Sequence, residues 1–98
     1  MAIQGPAGKV QGVATTVGED GIWTVVTYHR TPVVKFSEKT IKLNTGGYKT
    51  QTTKRRMNQA AQQYGLGYEV VQRKGDWLVV RGDEETPFTE DTLRLNRG

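Results

Sequence analysis

One segment with helical spacing stands between two groups of β-type segments, and this order restricts the chain to a small number of folds. Apolar residues in the segment recur at i, i+3, i+4 and i+7, the spacing of a helix buried along one side, and they are Met57, Ala60, Ala61 and Tyr64. Gly65 follows, where a left-handed C-terminal cap is expected. We therefore predict one amphipathic helix over residues 52–64.

The β-type segments are rich in β-branched and aromatic residues and are separated by short turn sequences. Residues 22–28 are expected to form a strand buried on both faces or nearly so. Residues 40–44 alternate between apolar and polar side chains, so that Lys42 should point away from the core. Further strands are predicted over residues 10–17, 33–36, 68–73 and 77–81, and a short edge segment over 86–88.

Hairpins on both sides of a lone helix predict an α+β fold, with a mostly antiparallel sheet of about five to six strands and the helix packed on one face. With 98 residues, the chain is expected to form a single core. We expect a flexible N-terminal segment over residues 1–8. The single domain should cover residues 9–98 and include a loosely ordered, acidic C-terminal tail.

The chain has no cysteine, which excludes disulfides, cysteine-ligated zinc and thiol nucleophiles. The sequence lacks the pattern of a signal peptide and any apolar run of about 20 residues, the length that spans a bilayer. A cytoplasmic protein with no cofactor and no membrane partner is therefore expected.

Positive charge is concentrated in the middle of the chain. Residues 35–74 contain nine Lys and Arg side chains against two Glu, whereas residues 75–98 contain six Asp and Glu against three Arg. Such asymmetry favours an anionic partner for the middle of the chain, although a mixed, soluble surface would have the same composition.

The start of the predicted helix is unusual because it carries consecutive cations. The first turn of a helix has partial positive charge and unpaired N–H groups, so carboxylates are favoured there and cations are not. A polyanion bound at this end would reverse the preference. On a helical wheel, Lys54, Arg55 and Arg56 all lie away from the predicted apolar side.

We therefore predict a nucleic-acid-binding surface around the helix start. The two glycines before the helix could form a nest of backbone N–H groups for an anion, and the amide side chains have the chemistry that reads adenine. An ordinary turn, helix cap and solvated polar face would give the same pattern. The predicted binding residues are Lys42, Gly46, Gly47, Tyr48, Lys49, Thr52, Lys54, Arg55, Arg56, Asn58 and Gln59.

Aromatic residues and acidic residues offer fewer functional signals. Tyr48 and Tyr68 could stack on exposed bases, whereas Tyr64 and both tryptophans are expected in the core. His29 is the only histidine and has no carboxylate partner that spacing can assign, so no enzyme is predicted. The acidic run over residues 83–85 lacks the pattern of a calcium loop, and no metal site is predicted. The glycine pair also lacks the spacing of a nucleotide-binding P-loop.

The run from Thr31 and Pro32 through the glycine pair to Arg56, Met57 and Asn58 resembles small uncharacterised proteins encoded by tailed bacteriophages. The similarity extends to Gly67-Tyr68 and Trp77 and covers roughly half to two-thirds of the chain. It implies a phage origin and expression in a bacterium, and it supplies no catalytic residue.

Three functions are consistent with the sequence. The first is non-enzymatic nucleic-acid binding, to DNA or RNA, through the basic helix start. The second is a protein that modulates or inhibits a host or phage enzyme. The third is a minor virion or assembly component, which would form homo-oligomers.

Overall fold

The structure is a computed structural model, and it describes residues 15–47 and 49–97. Within these residues the chain forms one helix, eight strands and two antiparallel sheets, so the predicted α+β class is confirmed. The elements in chain order are β1 Thr15–Asp20, β2 Trp23–Tyr28, β3 Thr31–Phe36, β4 Thr40–Asn44, α1 Gln51–Tyr64, β5 Glu69–Arg73, β6 Asp76–Arg81, β7 Glu84–Pro87 and β8 Thr92–Asn96.

The larger sheet has the order β1-β2-β3-β4-β8. The first four strands are joined by short turns, as the β-type segments and their turn residues predict. The fifth strand, β8, pairs with β4 along its whole length, with Ile41 opposite Leu95 and Leu43 opposite Leu93. The C-terminal segment thus forms an edge strand, and its leucines lie on the core face of the sheet.

A register shift in the β2–β3 pair puts two neighbouring valines into the core. The shift follows Val26, which pairs with Val34, while Thr27 pairs with Pro32. Strand residues ordinarily alternate between faces, but a bulge of this kind lets adjacent side chains point the same way. Val33 and Val34 are both buried.

Helix α1 covers the inner face of the larger sheet. The hydroxyl of Thr50 accepts a hydrogen bond from the Thr53 N–H at the N-terminal cap, and Gly65 ends the helix with φ 63° in the left-handed region. Met57, Ala60 and Ala61 are buried, as the periodicity predicts. The helix boundaries therefore agree with the sequence to within one residue.

The smaller sheet, of order β5-β6-β7, packs into the same core. Its first hairpin turns at Lys74 and Gly75, which both have positive φ, the conformation that a two-residue turn of this hand requires. Trp77 and Phe88 lie in contact, with ring centroids 6.1 Å apart. The strands divide into two sheets of five and three, where the sequence predicts about five to six strands in one sheet.

The predicted double burial of residues 22–28 is wrong. Val26 is the only buried residue of β2, and Ile22 lies outside the strand with 79% of its surface exposed. The inner face of β2 packs toward the helix, whereas its outer face is open among the described residues. The predicted strand over 10–17 lies largely outside the described residues, as does the segment 1–8, and β1 begins at Thr15.

Tyr68 gives a test of the core through pH. Its hydroxyl donates to the Met57 carbonyl oxygen at 2.7 Å, and burial raises its pKa well above the ordinary value. Because the folded state holds this proton more tightly than the unfolded state, the free energy of unfolding should fall as pH rises above about 10, by up to about 1.4 kcal/mol per pH unit. Tyr68→Phe removes this contribution. Urea unfolding at several alkaline pH values should show that the free energy of unfolding falls less steeply with pH in the variant than in the wild type. An equal fall in both proteins would contradict the raised pKa of Tyr68.

Candidate nucleic-acid interface

The first turn of α1 has no acidic residue. Arg55 is exposed, Lys54 and Thr52 are half-buried, and no carboxylate forms an ion pair with either cation among the described residues. The helix N-terminus therefore combines partial positive charge with two un-neutralised side chains.

Arg56 and Gln59 do not lie on this surface. Arg56 is 8% exposed and Gln59 is 2% exposed, so the predicted solvent-facing position of both is wrong. The Arg56 Nε donates to the Thr15 Oγ1 at 2.8 Å, and its guanidinium lies 5.8 Å from the ring centre of Tyr28. The buried side of the helix is wider than its apolar stripe because residues of β1 and β2 contact one flank, and the guanidinium donates there to Thr15 and, within the helix, to Gln59.

Asn58 links the helix to the smaller sheet. Its Nδ2 donates to the Val70 carbonyl oxygen at 2.9 Å, and its Oδ1 accepts the Val70 N–H at 2.7 Å. The side chain thus pairs with the backbone of β5 as a neighbouring strand would. This role is structural and replaces the predicted contact with a base.

The Gly46-Gly47 turn satisfies its own N–H groups. The Gly46 N–H donates to the Asn44 Oδ1 at 2.8 Å, and the Gly47 N–H donates to the Thr45 Oγ1 at 3.2 Å. Both glycines have positive φ, which accounts for their presence. The predicted nest for an anion is therefore wrong, since side chains of the same turn occupy the donors. Tyr48 lies outside the described residues.

Of the two remaining predicted lysines, Lys49 is held by hydrogen bonds to backbone carbonyl oxygens, and Lys42 lies apart from the helix start. Lys49 donates through Nζ to the carbonyl oxygens of Phe88 and Thr89, at 2.9 and 3.2 Å. Lys42 is exposed on the outer face of the larger sheet, opposite the face that α1 covers. The structure thus brings Lys54 and Arg55 together at the helix start and separates them from Lys42.

A cavity of about 740 Å³ opens beside the helix N-terminus. Threonine hydroxyls and the cationic Arg30 dominate its polar lining, with His29 at the hairpin turn. Thr45 and Thr53 in this lining are buried and hydrogen-bonded within the protein. The residues that line the cavity are Tyr28, His29, Arg30, Thr31, Val33, Thr45, Thr50 and Thr53.

A second basic surface lies on the outer face of the larger sheet. Lys35 pairs with Lys42, and Lys42 pairs with Arg94, so three cations stand directly opposite one another on β3, β4 and β8. The Nζ atoms of Lys35 and Lys42 lie 5.1 and 5.0 Å from the ring centre of Trp23. We call Trp23, Lys35, Lys42 and Arg94 the outer-face cluster.

Sequence reasoning missed this cluster and placed Trp23 in the core. Trp77 is buried as expected, but Trp23 is only half-buried. The alternation of β2 puts Trp23 on the face opposite buried Val26, which is the signal that would have found it. Tyr68, predicted to stack on bases, is buried in the core.

Among the residues that the structure describes, no group of three or more His, Asp or Glu side chains could hold a metal ion. The described helix is too short and too polar to span a membrane.

Fold and surface together define a small α+β protein with two antiparallel sheets and one helix. The chain belongs to the Kyanoviridae Gp96 protein family, whose model matches residues 2–94. This is a phage protein family of unknown function, and the match confirms the resemblance to uncharacterised proteins of tailed phages. None of the curated proteins and none of the solved structures matches the chain significantly.

Proposed function

We propose that this protein binds nucleic acid without catalysing a reaction, and that the start of α1 contacts phosphates. The observation that carries the proposal is the lack of internal neutralisation. In the described part of the chain, the one ion pair joins Arg73 to Glu85, with 3.0 Å between Nη1 and Oε1. The cations of the helix start and of the outer sheet face form no such pair with any residue in the ranges 15–47 and 49–97.

The proposed contacts at the helix start are Lys54 and Arg55, supported by Lys49 and the half-buried Thr52. Lys49 is exposed and its ammonium retains a third donor beyond the two carbonyl oxygens it contacts. Partial charge from the helix adds to these side chains, and phosphate contacts of this kind supply affinity without reading sequence. The protein would act in the cytoplasm of the bacterial host.

Charge removal tests the proposal. Fluorescence anisotropy should detect binding of labelled single- or double-stranded DNA or RNA at about 50 mM salt, with affinity falling steeply by about 200 mM. Lys54→Gln/Arg55→Gln should weaken binding. The slope of log K against log salt concentration should also become less steep by roughly 1.4–1.8, because each of the two lost phosphate contacts contributes about 0.7–0.9 to it.

The matched control is Arg73→Gln/Lys74→Gln, which removes the same charge from a site where Arg73 is already paired with Glu85. This control should bind like the wild type. Circular dichroism should confirm that both variants fold. Absence of binding to every probe at low salt would overturn the proposal.

One observation favours a second function, the modulation of a host or phage enzyme through a protein interface. Ile22 is a large apolar residue with 79% of its surface exposed, and it lies next to Trp23 in the chain. Exposed apolar and aromatic residues together are typical of protein interfaces. Affinity for such a partner would change little with salt, which separates the two functions.

A further inference from the structure

The outer-face cluster combines three like charges in a geometry that the fold alone does not favour. Lys35, Lys42 and Arg94 occupy directly opposed positions on three neighbouring strands. Like charges directly opposite in a sheet are destabilising. The other outward positions of β4 and β8 are Thr, Asn, Thr and Asn, so no carboxylate of these strands neutralises the cations. A negatively charged partner would offset this repulsion.

Trp23 places an aromatic ring beneath two of the cations. The ammonium groups of Lys35 and Lys42 both lie over this ring, about 5 Å from its centre, and a base that stacks on the ring takes the place of an ammonium group. The lining of a depression of about 600 Å³ includes Trp23, Lys42 and Arg94, together with Lys39 and the acidic Glu38. Small-molecule sites fall within this range of volumes, so a nucleobase can be accommodated. Cations beside an aromatic platform are the features by which proteins hold unpaired bases and the phosphates between them.

Stacking on Trp23 favours a single strand over a duplex. The faces of a base that is paired within a duplex are covered by its neighbours, so Trp23 cannot stack on it. The bases of an extended single strand are exposed and can stack on an aromatic side chain.

We infer that the outer face of the larger sheet binds single-stranded nucleic acid, with phosphates on Lys35, Lys42 and Arg94 and a base stacked on Trp23. The inference rests on the proposed function and assigns it a ligand class and a second surface. Two carboxylates are close to this surface, because Asp20 pairs with Trp23 across β1 and β2 and Glu38 lines the depression, but neither forms an ion pair with a cation of the cluster.

Two doubly substituted proteins separate this surface from the helix start. Lys42→Gln/Arg94→Gln removes two exposed cations of the outer-face cluster and should reduce affinity for a labelled dT oligonucleotide. The slope of log K against log salt concentration should become less steep by roughly 1.4, the value expected for the loss of two phosphate contacts with a single strand. Arg73→Gln/Lys74→Gln removes the same charge elsewhere and is the matched control, whereas Lys54→Gln/Arg55→Gln measures the separate contribution of the helix start.

Tryptophan fluorescence reports directly on stacking, because Trp77 is buried in the core and Trp23 is not. The oligonucleotide should quench wild-type emission, and Trp23→Phe should lose the quenching. Trp23→Leu should bind about tenfold more weakly than wild type, within the range measured for loss of one stacked base. An abasic oligomer of equal length should bind without quenching.

Loss of binding in the outer-face variant, together with base-dependent quenching, supports the inference. Loss only in the helix-start variant overturns it and leaves the proposed function intact. If the abasic oligomer or polyglutamate binds and quenches as well as the dT oligonucleotide does, base recognition is overturned and the surface binds polyanions in general. No binding by the wild type overturns both proposals.

Discussion

Gly46→Ala should destabilise the protein by about 3–4 kcal/mol. Gly46 has φ +66°, and a Cβ atom there would lie 2.5 Å from the Thr31 Oγ1 and 2.8 Å from its Cγ2. The left-handed backbone costs a non-glycine residue about 1–2 kcal/mol, and overpacking adds about 1–3 kcal/mol. Urea unfolding followed by circular dichroism measures the loss, which is a large share of the roughly 5–15 kcal/mol typical of a domain.

Gly47→Ala is the matched control. Its φ is +87°, but a Cβ at this position meets nothing within 4 Å. Only the backbone cost of about 1–2 kcal/mol should remain. Combining Gly46→Ala with Thr31→Ala removes both of the nearest clashing atoms and should recover the steric part of the loss. Equal destabilisation by the two glycine substitutions would show that the contact with Thr31 is relaxed at little cost.

Asn58→Ala should cost about 2–4 kcal/mol of stability. The substitution leaves both the N–H and the carbonyl oxygen of Val70 without the amide that pairs with them. Val70 is 1% exposed, and an unsatisfied buried polar group costs about 1–3 kcal/mol. Asn58→Asp keeps the acceptor and loses the donor, so it should also destabilise.

The exposed Gln62→Ala on the same helix is the control for Asn58→Ala and should have little effect. Hydrogen exchange at the Val70 amide provides a local measurement. The amide should exchange faster in Asn58→Ala at a matched global stability, whereas unchanged protection would mean that water replaces the side chain.

Local patterns were enough to predict most elements of this fold. The alternation of residues 40–44 and the glycine cap at Gly65 each depend on a few neighbouring residues, and both agree with the structure. The hairpin at Lys74-Gly75 is a third case. The α+β class could be predicted from such signals because hairpins and helix caps depend on residues that are close together in the sequence.

Long-range contacts decided what the sequence did not predict. Arg56 is buried because Thr15 and Tyr28 approach it from strands far away in the chain, and no helical wheel contains them. The outer-face cluster likewise depends on the register of several strands. A helix face judged by hydropathy alone therefore overestimated the basic surface at the helix start and missed the one on the sheet.

The position of β8 also has a consequence for the order of folding. Its partner β4 is separated from it in sequence by α1 and the entire smaller sheet. Closing so long a loop is entropically costly, and non-local strand pairs of this kind tend to form late. During synthesis β4 is made well before β8. The edge of β4 that later pairs with β8 therefore has unpaired backbone N–H and C=O groups until residues 92–96 dock. The fold therefore passes through a stage with an open strand edge, when pairing with another chain competes with completion of the sheet.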